Sequence, residues 1–433
     1  MMTKSNKAET ESVKMKPLTS LRGMHDILPD QMHRHRAVID KARHVAASYG
    51  FQEMATPLLE PLEVFVRTLG ETTDIVTKEM YHFQDKNGDD VTLRPENTAS
   101  VMRAFANHGL QQHGIAKFFY AGPMFRYERP QKGRLRQFHQ IGIEAIGPAS
   151  AQADIEAIAC GFLCLKALGI AELTVLNLNS LGNTTSRAAY RDALVAYFSD
   201  HIDSLSDESR ERLHRNPLRI LDSKSKQDQK LVEQVPLFDD YMDAESKDFF
   251  DEVKAGLDNL GIHYRLNRAL VRGLDYYCHT AFEFITDELG AQGTVLGGGR
   301  YDGLAEFMGF SHVPAVGWAA GIERLAMLID APPPPARAIM IIPIGADAQA
   351  KAMQLAHHMR IHDLYVELNY SNGNIGKRLK QATKLNARFA LILGDDELAN
   401  NSIQLRDLDR STQLSINQDQ LIERINHLST IEN

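Results

Sequence analysis

The sequence predicts an α+β protein made of a large and a small domain, and three observations support this fold class. Four consecutive prolines, Pro332 to Pro335, divide the chain. Proline lacks a backbone N–H, so this run cannot continue a helix and is expected to form a stiff linker. Before the prolines, short apolar runs alternate with turn residues; after them, strands and helices alternate regularly. We expect a large domain at 20–330, a linker at 331–336 and a small domain at 337–433.

The large domain is predicted to begin with a helix over 31–49, where apolar residues recur at helical spacing and Gly50 follows as a stop signal. Short apolar runs bounded by turn residues predict strands at 118–120, 141–143 and 281–284. The stretch from about 184 to 260 is highly charged and rich in helix formers, which predicts a helical insertion.

The small domain shows a regular alternation of strand and helix patterns. Strands are predicted at 338–344, 364–368 and 389–393, and helices at 346–360 and about 375–385. Strands that alternate with helices of this length favour a small α/β domain with a mainly parallel sheet.

Composition limits the classes of protein that need to be considered. The net charge of −8 excludes a uniformly basic nucleic-acid binder, so any nucleic-acid contact must come from local basic patches. Residues 1–19 are polar and lack an apolar core, which predicts a disordered leader rather than a secretory signal. No apolar run approaches the ~20 residues of a membrane span. A cytoplasmic protein is expected.

Cysteine and histidine spacing argues against a metal centre. The three cysteines form no CxxC pair, and Cys160 and Cys164 lie in an apolar run, as small core residues do. Neighbouring histidines, such as His33 and His35, have spacing poorly suited to a shared ligand face. We therefore expect no metal site and no zinc.

A basic loop is the first pattern that indicates chemistry. From Arg126 to Arg136, five basic residues accompany a single acid. An arginine guanidinium can hold two phosphate oxygens at once, so this loop suits a phosphate-bearing substrate. The alternative is a solvated basic hairpin, because charge runs are commonly solvated.

Two glycine-containing patterns follow. Four glycines within 297–303 bring backbone close to another group, although the pattern is neither GxGxxG nor a Walker loop, and a tight turn with a bulge is the alternative. Small residues over 315–321 precede Arg324, which would lie near a helix start where it could reach an anion. Alone, this arginine could equally belong to an exposed amphipathic helix.

Together these patterns resemble the histidyl-tRNA synthetase family of class II aminoacyl-tRNA synthetases. The resemblance runs from about residue 21 to the C-terminus and includes RGMHD at 22–26, TLRPE at 92–96, FHQIGIE at 138–144, VRGLDYY at 271–277 and GGGRYDG at 297–303. It implies a mostly antiparallel catalytic sheet with a helical insertion, a small anticodon-binding domain and a homodimer built partly around 31–57. The implied reaction joins histidine to its tRNA through a histidyl-adenylate, consuming ATP with Mg²⁺ and releasing pyrophosphate and AMP.

The resemblance also implies roles for individual residues on the ATP side of the site. Arg126 would hold the α-phosphate and the histidine carboxylate, with Arg272 opposite it as the second catalytic arginine. Glu128 would face the adenine amino group, Phe138 would stack on the adenine ring, and Arg324 would bind near the γ-phosphate.

On the histidine side, the implied contacts are with the substrate amino group, at Glu96, Thr98 and Gln140, and with the imidazole, at Glu144, Tyr277 and the nearby Tyr301. Arg126 and Arg272 would also contact histidine. Contacts with tRNA are implied in the basic loop at Arg129, Gln131 and Arg134. The chain departs from the family pattern at Asn97, where glycine is usual, and at Cys278 and His279.

A basic stripe in the small domain is visible without the resemblance. Lys377, Lys380, Lys384 and Arg388 recur at helical spacing, so one helix would carry all four on one face. The small domain is otherwise balanced in charge, which favours a tRNA-phosphate-binding face. The alternative is a solvated helix surface.

A non-catalytic regulatory role is the alternative to the ligase activity. A non-catalytic paralogue of this family serves as a regulatory subunit of an ATP phosphoribosyltransferase, and such paralogues lack the anticodon-binding domain and the ATP-contacting residues. This chain has the C-terminal domain together with Arg126, Arg272 and Arg324, so the ligase is favoured. Another class II synthetase is disfavoured by the peptide at 271–277.

Overall fold

The computed structural model describes residues 17–70, 73, 75–131, 133–221, 223, 225–270, 276–290 and 293–430. The predicted disordered leader therefore lies outside the described residues, except for its last three positions. The chain divides into two compact units between Pro332 and Pro333, inside the proline run.

The large unit combines helices with two sheets. Its helices are α1 (Pro29–Ser48), α2 (Leu62–Leu69), α3 (Thr98–Asn107), α4 (Ala151–Ala167), α5 (Thr184–Asp200), α6 (Asp207–Arg215), α7 (Lys226–Val232), α8 (Ala244–Asn259), α9 (Leu304–Phe307) and α10 (Ile322–Leu328). Its strands are β1 (Gln52–Glu53), β2 (Leu59–Pro61), β3 (Tyr81–Gln84), β4 (Asp90–Leu93), β5 (Ala116–Phe125), β6 (Gln137–Ile146), β7 (Val175–Ser180), β8 (Tyr264–Leu266), β9 (Cys278–Ile285), β10 (Thr294–Arg300) and β11 (Ala315–Gly321).

The main sheet has eight strands in the order β1-β5-β6-β11-β10-β9-β7-β8. All pairs from β5 to β7 are antiparallel, and only the edge strands β1 and β8 pair in parallel. A smaller antiparallel sheet has the order β2-β4-β3. The mostly antiparallel catalytic sheet is therefore confirmed.

The glycine run forms a central strand rather than a turn. In β10, a Cβ atom on Gly298 would lie 2.1 Å from the carbonyl oxygen of Gly317 in β11. Backbone thus occupies the space that a side chain would need. The strand register shifts between Gly299 and Arg300, so the bulge is present, and a turn follows it at Asp302 and Gly303.

Helices α1 and α4 cover the sheet through small and branched apolar residues. Val38, Ala42 and Ala46 of α1 are buried in the same core as residues of α4. Cys160 and Cys164 are buried there without a disulfide, as predicted. The single tryptophan, Trp318, joins β11 to α4 because its indole N–H donates to the carbonyl of Ala157 at 2.9 Å.

The predicted helical insertion corresponds to α5 to α8. Helices α5 and α6 share a separate apolar core that includes Leu194, Phe198 and Leu213. Helix α8 instead packs on the main core through Val253 and Leu257. The insertion is therefore anchored to the sheet domain by its last helix.

The small unit is an α/β domain with strands β12 (Ile339–Pro343), β13 (Val366–Leu368), β14 (Phe389–Leu393), β15 (Ser402–Asp407) and β16 (Gln413–Asn417). Its helices are α11 (Ala346–Ile361), α12 (Ile375–Lys384), α13 (Asp395–Ala399) and α14 (Leu421–Thr430). The strand order is β13-β12-β14-β15-β16. The three predicted strands pair in parallel, whereas β15 and β16, which were not predicted, add an antiparallel edge.

Across the described residues, no helix combines the length and the apolar character needed to cross a membrane.

Candidate functional site

The candidate site is a cavity of about 230 Å³ on the main sheet of the large unit. Its walls come from the start of α3, the β5–β6 connection, strands β6, β10 and β11, and the first turn of α10. Most of the predicted substrate-binding residues line it, namely Glu96, Thr98, Arg126, Glu128, Arg134, Phe138, Gln140, Tyr277 and Arg324. The β-sheet thus brings together residues that are far apart in the sequence.

Glu144 is the buried centre of the site's polar network. It lies in β6 with 1% of its surface exposed. One carboxylate oxygen accepts the hydroxyl of Thr98 at 2.7 Å and that of Tyr120 at 3.3 Å, and the other accepts the hydroxyl of Tyr301. Glu144 and Tyr301 therefore lie directly beneath the cavity wall and connect to it through Thr98.

Burial controls the ionisation of this network. Removal from water raises the pKa of the Glu144 carboxyl to about 8, while the hydrogen bonds from Tyr301 and Thr98 oppose the rise. The pKa of each of the Tyr120 and Tyr301 hydroxyls is also well above its usual value, chiefly because of burial. The tyrosines consequently remain protonated donors toward the glutamate.

The predicted amino-group ligand Glu96 has a local structural task as well. Its carboxylate accepts the backbone N–H groups of Thr98 at 2.6 Å and Ala99 at 2.9 Å, at the start of α3. These bonds satisfy donors that a helix start leaves unpaired, and they hold Thr98 beside Glu144. Burial raises the pKa of Glu96, against the lowering by the two backbone bonds.

The departure at Asn97 has a structural explanation. Its side-chain oxygen accepts hydrogen bonds from Arg94 at 2.9 Å and from the Thr56 hydroxyl at 2.8 Å. Arg94 also donates to the carbonyl of Pro123 at 3.0 Å. The asparagine therefore ties the start of α3 to the segment before β2 and to β5.

Two glycines make room for the buried side chains of the site. A Cβ atom on Gly317 would lie 1.9 Å from a carboxylate oxygen of Glu144. One on Gly299 would lie 2.9 Å from the ring of Tyr277. At both positions any larger residue would displace a predicted imidazole ligand.

The arginine of the GGGRYDG stretch has a supporting role. Arg300 is fully buried and forms an ion pair with Asp154 of α4, donating also to Asp302 at 3.1 Å and to the carbonyl of Pro148 at 3.0 Å. A buried charge is tolerated only when it is paired and hydrogen-bonded in this way. The pairing fixes the end of β10 and so positions the adjacent Tyr301.

Three arginines, Arg126, Arg134 and Arg324, line one side of the cavity. Arg126 donates from Nε to the carbonyl of Pro95 at 2.9 Å, and its guanidinium lies 5.4 Å from the ring centre of Phe138. Arg324 donates to the carbonyls of Gly133 at 3.1 Å and Thr294 at 2.7 Å, which aims it across the cavity from α10. Arg134 forms an ion pair with Glu128 at 3.0 Å.

The electrostatics of this wall favour an anion. Burial lowers the pKa of Arg324, and the neighbouring positive charges of Arg134 and Arg126 lower it further. Bringing in a polyphosphate would relieve this repulsion between like charges. Glu128 and Glu283 are counter-charges that oppose this lowering, and Glu128 already pairs with Arg134.

Some predicted residues cannot be placed in this way. Arg272 and most of the 271–277 peptide lie outside the described residues, as does Lys132 of the basic loop. Tyr277 is buried, with its ring centre 6.3 Å from that of Tyr301. Next to it, the departing residue His279 has a φ of 44°, and the Cys278 sulfur accepts the backbone N–H of Asp302 at 3.5 Å.

The predicted tRNA residues of the basic loop lie at the surface. Arg129, Gln131 and Arg134 are exposed. The backbones of Gln131 and Arg134 exchange two hydrogen bonds, at 3.1 and 2.9 Å, which makes the loop tip a tight turn. The side chains of Arg129 and Gln131 are thereby presented outside the main cavity, whose wall includes Arg134.

The basic stripe of the small unit requires one correction. Lys377, Lys380 and Lys384 are exposed on α12, but the helix ends at Lys384. Placing Arg388 on the same helix was wrong, because Asn386 adopts a left-handed φ of 56° and turns the chain away. Arg388 instead forms a largely buried ion pair with Asp407 at 2.5 Å.

Two contributors to the site were missed by sequence reasoning. Tyr120 donates to Glu144 from the neighbouring strand, and Glu323 accepts the backbone N–H of His139 at 2.9 Å. The pairing of β5 with β6 makes Tyr120 a neighbour of Glu144, which a correct strand register could have indicated. Glu323 and His139 are 184 positions apart, so no local signal links them.

Comparison with known proteins identifies the family of both units. The family model described as Histidyl-tRNA synthetase matches residues 23–325, and the model described as Anticodon binding domain matches residues 338–428. A Histidine--tRNA ligase from Rhodospirillum rubrum is 55% identical over 403 residues, covering 93% of this chain and 97% of that protein.

Solved structures give the same result. The crystal structure of apo S. aureus histidyl-tRNA synthetase superposes with a TM-score of 0.80 at 33% identity, covering 94% of this chain and 99% of that one. A Bacillus halodurans protein described as an ATP phosphoribosyltransferase regulatory subunit/histidyl-tRNA synthetase gives 0.64 at 21% identity, covering 88% and 99%. At that identity the second match supports the fold alone.

Proposed function

Because this chain belongs to the histidyl-tRNA synthetase family, we propose that the cavity on its main sheet is where histidine and ATP react. The chain is a class II aminoacyl-tRNA synthetase, an ATP-dependent histidine–tRNA ligase. The observation that best supports the proposed location is the junction of two subsites. A buried carboxylate with three hydroxyl partners lies beside a wall of three arginines.

The first step is adenylate formation. An oxygen of the histidine carboxylate attacks the α-phosphorus of ATP, a new O–P bond forms, and the bond to the departing pyrophosphate breaks. The nucleophile is already ionised, so no general base is required. Charge grows on the α-phosphate oxygens, where Arg126 and Arg272 would stabilise the transition state more than the ground state. ATP enters as its magnesium complex, and Arg324 would bind toward the γ-phosphate.

Adenine recognition is assigned to Phe138 and Glu128, which lie beside Arg126 and Arg134 of the arginine wall. Phe138 would stack on the adenine ring, and Glu128 would accept a hydrogen bond from its amino group. The side chain of Glu128 is held by Arg134, which supports a fixed orientation for this carboxylate. In the second step the tRNA terminal hydroxyl attacks the adenylate carbonyl, and AMP leaves.

Imidazole recognition is assigned to Glu144, Tyr277 and Tyr301. Glu144 would accept a hydrogen bond from the N–H of one ring nitrogen. This bond would replace part of the hydrogen bonding that Glu144 now receives from hydroxyl groups. The substrate amino group would lie near Glu96, Thr98 and Gln140. A site whose buried polar groups must be satisfied by both ring nitrogens rejects analogues lacking them by ~10⁴-fold or more.

The tRNA contacts are assigned to two surfaces. Lys377, Lys380 and Lys384 form an exposed basic stripe on α12 of the small unit, suited to phosphate contacts. Arg129, Gln131 and Arg134 at the loop tip would contact the tRNA end that receives histidine. Arg388 is withdrawn from this set because its charge is paired with Asp407.

We further propose a cytoplasmic homodimer. The small sheet of the large unit supports this, since Leu59 and Phe83 lie on the same face by strand register and each is 47% exposed. Contiguous exposed apolar surface of this kind is typical of protein interfaces. It lies beside the segment 31–57 that was expected to form the interface.

Pyrophosphate exchange with each of the twenty amino acids tests the proposed site. The wild-type chain should exchange pyrophosphate with histidine alone. Replacing Thr98 with valine removes a hydroxyl between Glu144 and the cavity and should raise the KM for histidine more than the KM for ATP. Equal effects on both would place histidine somewhere other than above Glu144.

A further inference from the structure

Beside the main cavity, two imidazoles and a carboxylate from three different elements meet. His35 belongs to α1, His139 to β6 and Glu323 to α10, and one donor atom of each lies within 4.8 Å of the other two. His35 is 8% exposed, and the side chains of His139 and Glu323 are 21% and 17% exposed. The reaction proposed above uses neither histidine.

The cluster is held in place by contacts that leave the histidine rings close together. The Glu323 carboxylate accepts the backbone N–H of His139 at 2.9 and 3.0 Å and lies 2.8 Å from its Nδ1. The rings of His35 and His139 meet edge to face, with centres 5.8 Å apart and planes at 69°. The carboxylate is therefore oriented by the backbone, and the two rings lie against each other beside it.

A second cavity gives this cluster access to water. It has a volume of about 610 Å³ and is lined by His35, His139 and Glu323 together with His25, Asp26 and Gln31. An ion bound at the cluster could take a water ligand from this side.

Contrary to the expectation from histidine spacing along the sequence, we propose that the fold assembles His35, His139 and Glu323 into a binding site for one Zn²⁺ ion, with water as the fourth ligand. Two imidazoles and one carboxylate form a donor set that zinc uses, whereas magnesium and calcium prefer oxygen donors throughout. Bond lengths of about 2.0–2.1 Å place tetrahedral ligands roughly 3.3 Å apart. Since the donor atoms now lie within 4.8 Å of one another, they would need to approach by about an ångström or more when the ion binds.

Zinc at this point would connect three elements that now meet only through packing and hydrogen bonds. It would join α1 to β6 and to α10. In α10, Glu323 is followed directly by Arg324 of the arginine wall. Because the ion binds only the assembled cluster, it should raise the unfolding temperature of the chain. This inference does not depend on the proposed roles in adenylation.

The test uses the full chain, stripped of metal with a chelator. Calorimetric titration with Zn²⁺ should show one tight equivalent, and Co²⁺ at the same site should give the visible absorption of a tetrahedral centre. His35→Gln and His139→Gln should each weaken binding by at least ~10-fold, since even outer-shell changes cost that much. His44→Gln, an exposed position on the same helix, is the matched control and should bind as the wild type does.

Glu323→Gln provides a variant that keeps an oxygen acceptor for the His139 backbone but loses the anionic ligand. It should retain the metal-free unfolding temperature while losing tight binding. Absence of a tight equivalent in the wild type would mean that the histidines are only an edge-to-face pair. Binding that survives both His35→Gln and His139→Gln, or that depends on cysteine, would place the ion elsewhere and overturn the proposal.

Discussion

At the scale of single residues, the decisive feature is a carboxyl group kept out of water. Glu144 contacts Thr98, Tyr120 and Tyr301, yet its own burial still raises its pKa to about 8. The hydrogen bonds from the three hydroxyls reduce the free-energy cost of ionising the buried carboxyl, but they do not remove that cost. The substrate imidazole would be a fourth partner, so the site is built to be completed by its ligand.

Replacing Glu144 with glutamine should weaken histidine binding. The imidazole N–H would be a further donor that favours the ionised form of Glu144, which glutamine cannot adopt, and hydrogen bonds to charged groups contribute about 1.5–3 kcal/mol. We expect the KM for histidine in pyrophosphate exchange to rise by roughly 10- to 100-fold, with a smaller change for ATP. Glu306→Gln, at an exposed carboxylate of α9, is the control and should behave as wild type. An unchanged KM in Glu144→Gln would remove this residue from the pocket.

The same variant should change how stability depends on pH. Since the folded pKa of Glu144 lies above its ordinary value of 4.5, its contribution to stability is complete below pH 4.5 and is lost as pH rises through about 8. Glutamine does not titrate. The free energy of unfolding of the variant should therefore increase relative to that of the wild type as pH rises, by a few kcal/mol over this range. Thermal unfolding at several pH values measures this difference. A constant difference would show that Glu144 has an ordinary pKa in the folded chain.

Arg272 carries the sharpest prediction for catalysis. If it stabilises the α-phosphate in the transition state, Arg272→Ala should reduce the adenylation rate by ~10²-fold or more, the loss expected for one donor of such a site. The KM for ATP should change less, because Arg126 and Arg324 remain. Single-turnover adenylation and single-turnover transfer to tRNA are compared in the same variant. Equal losses in both steps would indicate a general binding or structural residue.

At the scale of secondary-structure elements, helix ends decide which charges reach solvent. The spacing of basic residues predicted a stripe that continued to Arg388, but α12 stops at Lys384. Asparagine tolerates the left-handed conformation better than most residues, and Asn386 uses it here to end the helix. Periodicity alone cannot detect such an end when no glycine or proline marks it.

Reversing the charges of Lys377 and Lys380 to glutamate should raise the KM for tRNA and reduce the salt dependence of aminoacylation. The reason is that fewer phosphate contacts release fewer counterions. Histidine-dependent pyrophosphate exchange without tRNA should be unchanged. If aminoacylation retains the wild-type KM and salt dependence, the stripe is only a solvated surface.

Arg388 provides a comparison with the exposed lysines of α12. Arg388→Ala leaves Asp407 largely buried without its ion-pair partner, so it should destabilise the small unit by up to a few kcal/mol. Unfolding temperature would reveal this loss. The lysine variants should show little change in the same measurement, since exposed ion pairs and charges contribute little to stability.

At the scale of the whole molecule, composition and periodicity predicted more of the fold than of the site. The patterns predicted the first helix, three strands and the helical insertion of the large unit, and three strands with two helices in the small unit, because such patterns follow from burial on one face. The antiparallel sheet of the large unit was implied only by the family resemblance. The edge strands β15 and β16 were not predicted, although the buried Ile403 and Leu405 of β15 alternate with polar residues, as the positions of a half-buried strand do. The meeting of His35, His139 and Glu323 was likewise inaccessible, since it depends on sheet topology.

The oligomeric state provides the prediction at this scale. Light scattering should give a mass near twice 48.5 kDa. Replacing Leu59 and Phe83 with aspartate puts charge into the proposed apolar interface and should shift the chain toward monomer. Obligate dimers often lack a stable folded monomer, so unfolding would accompany this shift. A wild-type monomer with full activity would contradict the homodimer.

The buried polar network of the site also has a consequence for how much of the enzyme a cell keeps. Among the described residues, the side-chain oxygen of Gln140 is buried without a hydrogen-bond partner, and Glu144 sits in the middle of the main sheet. Ligand that satisfies such groups binds only the folded chain and stabilises it in proportion to its concentration. Differences of about 1–2 kcal/mol change protein abundance several-fold through degradation of unfolded chains. The histidine concentration should therefore affect the lifetime of this protein as well as its catalytic rate. Cells starved of histidine should degrade it faster.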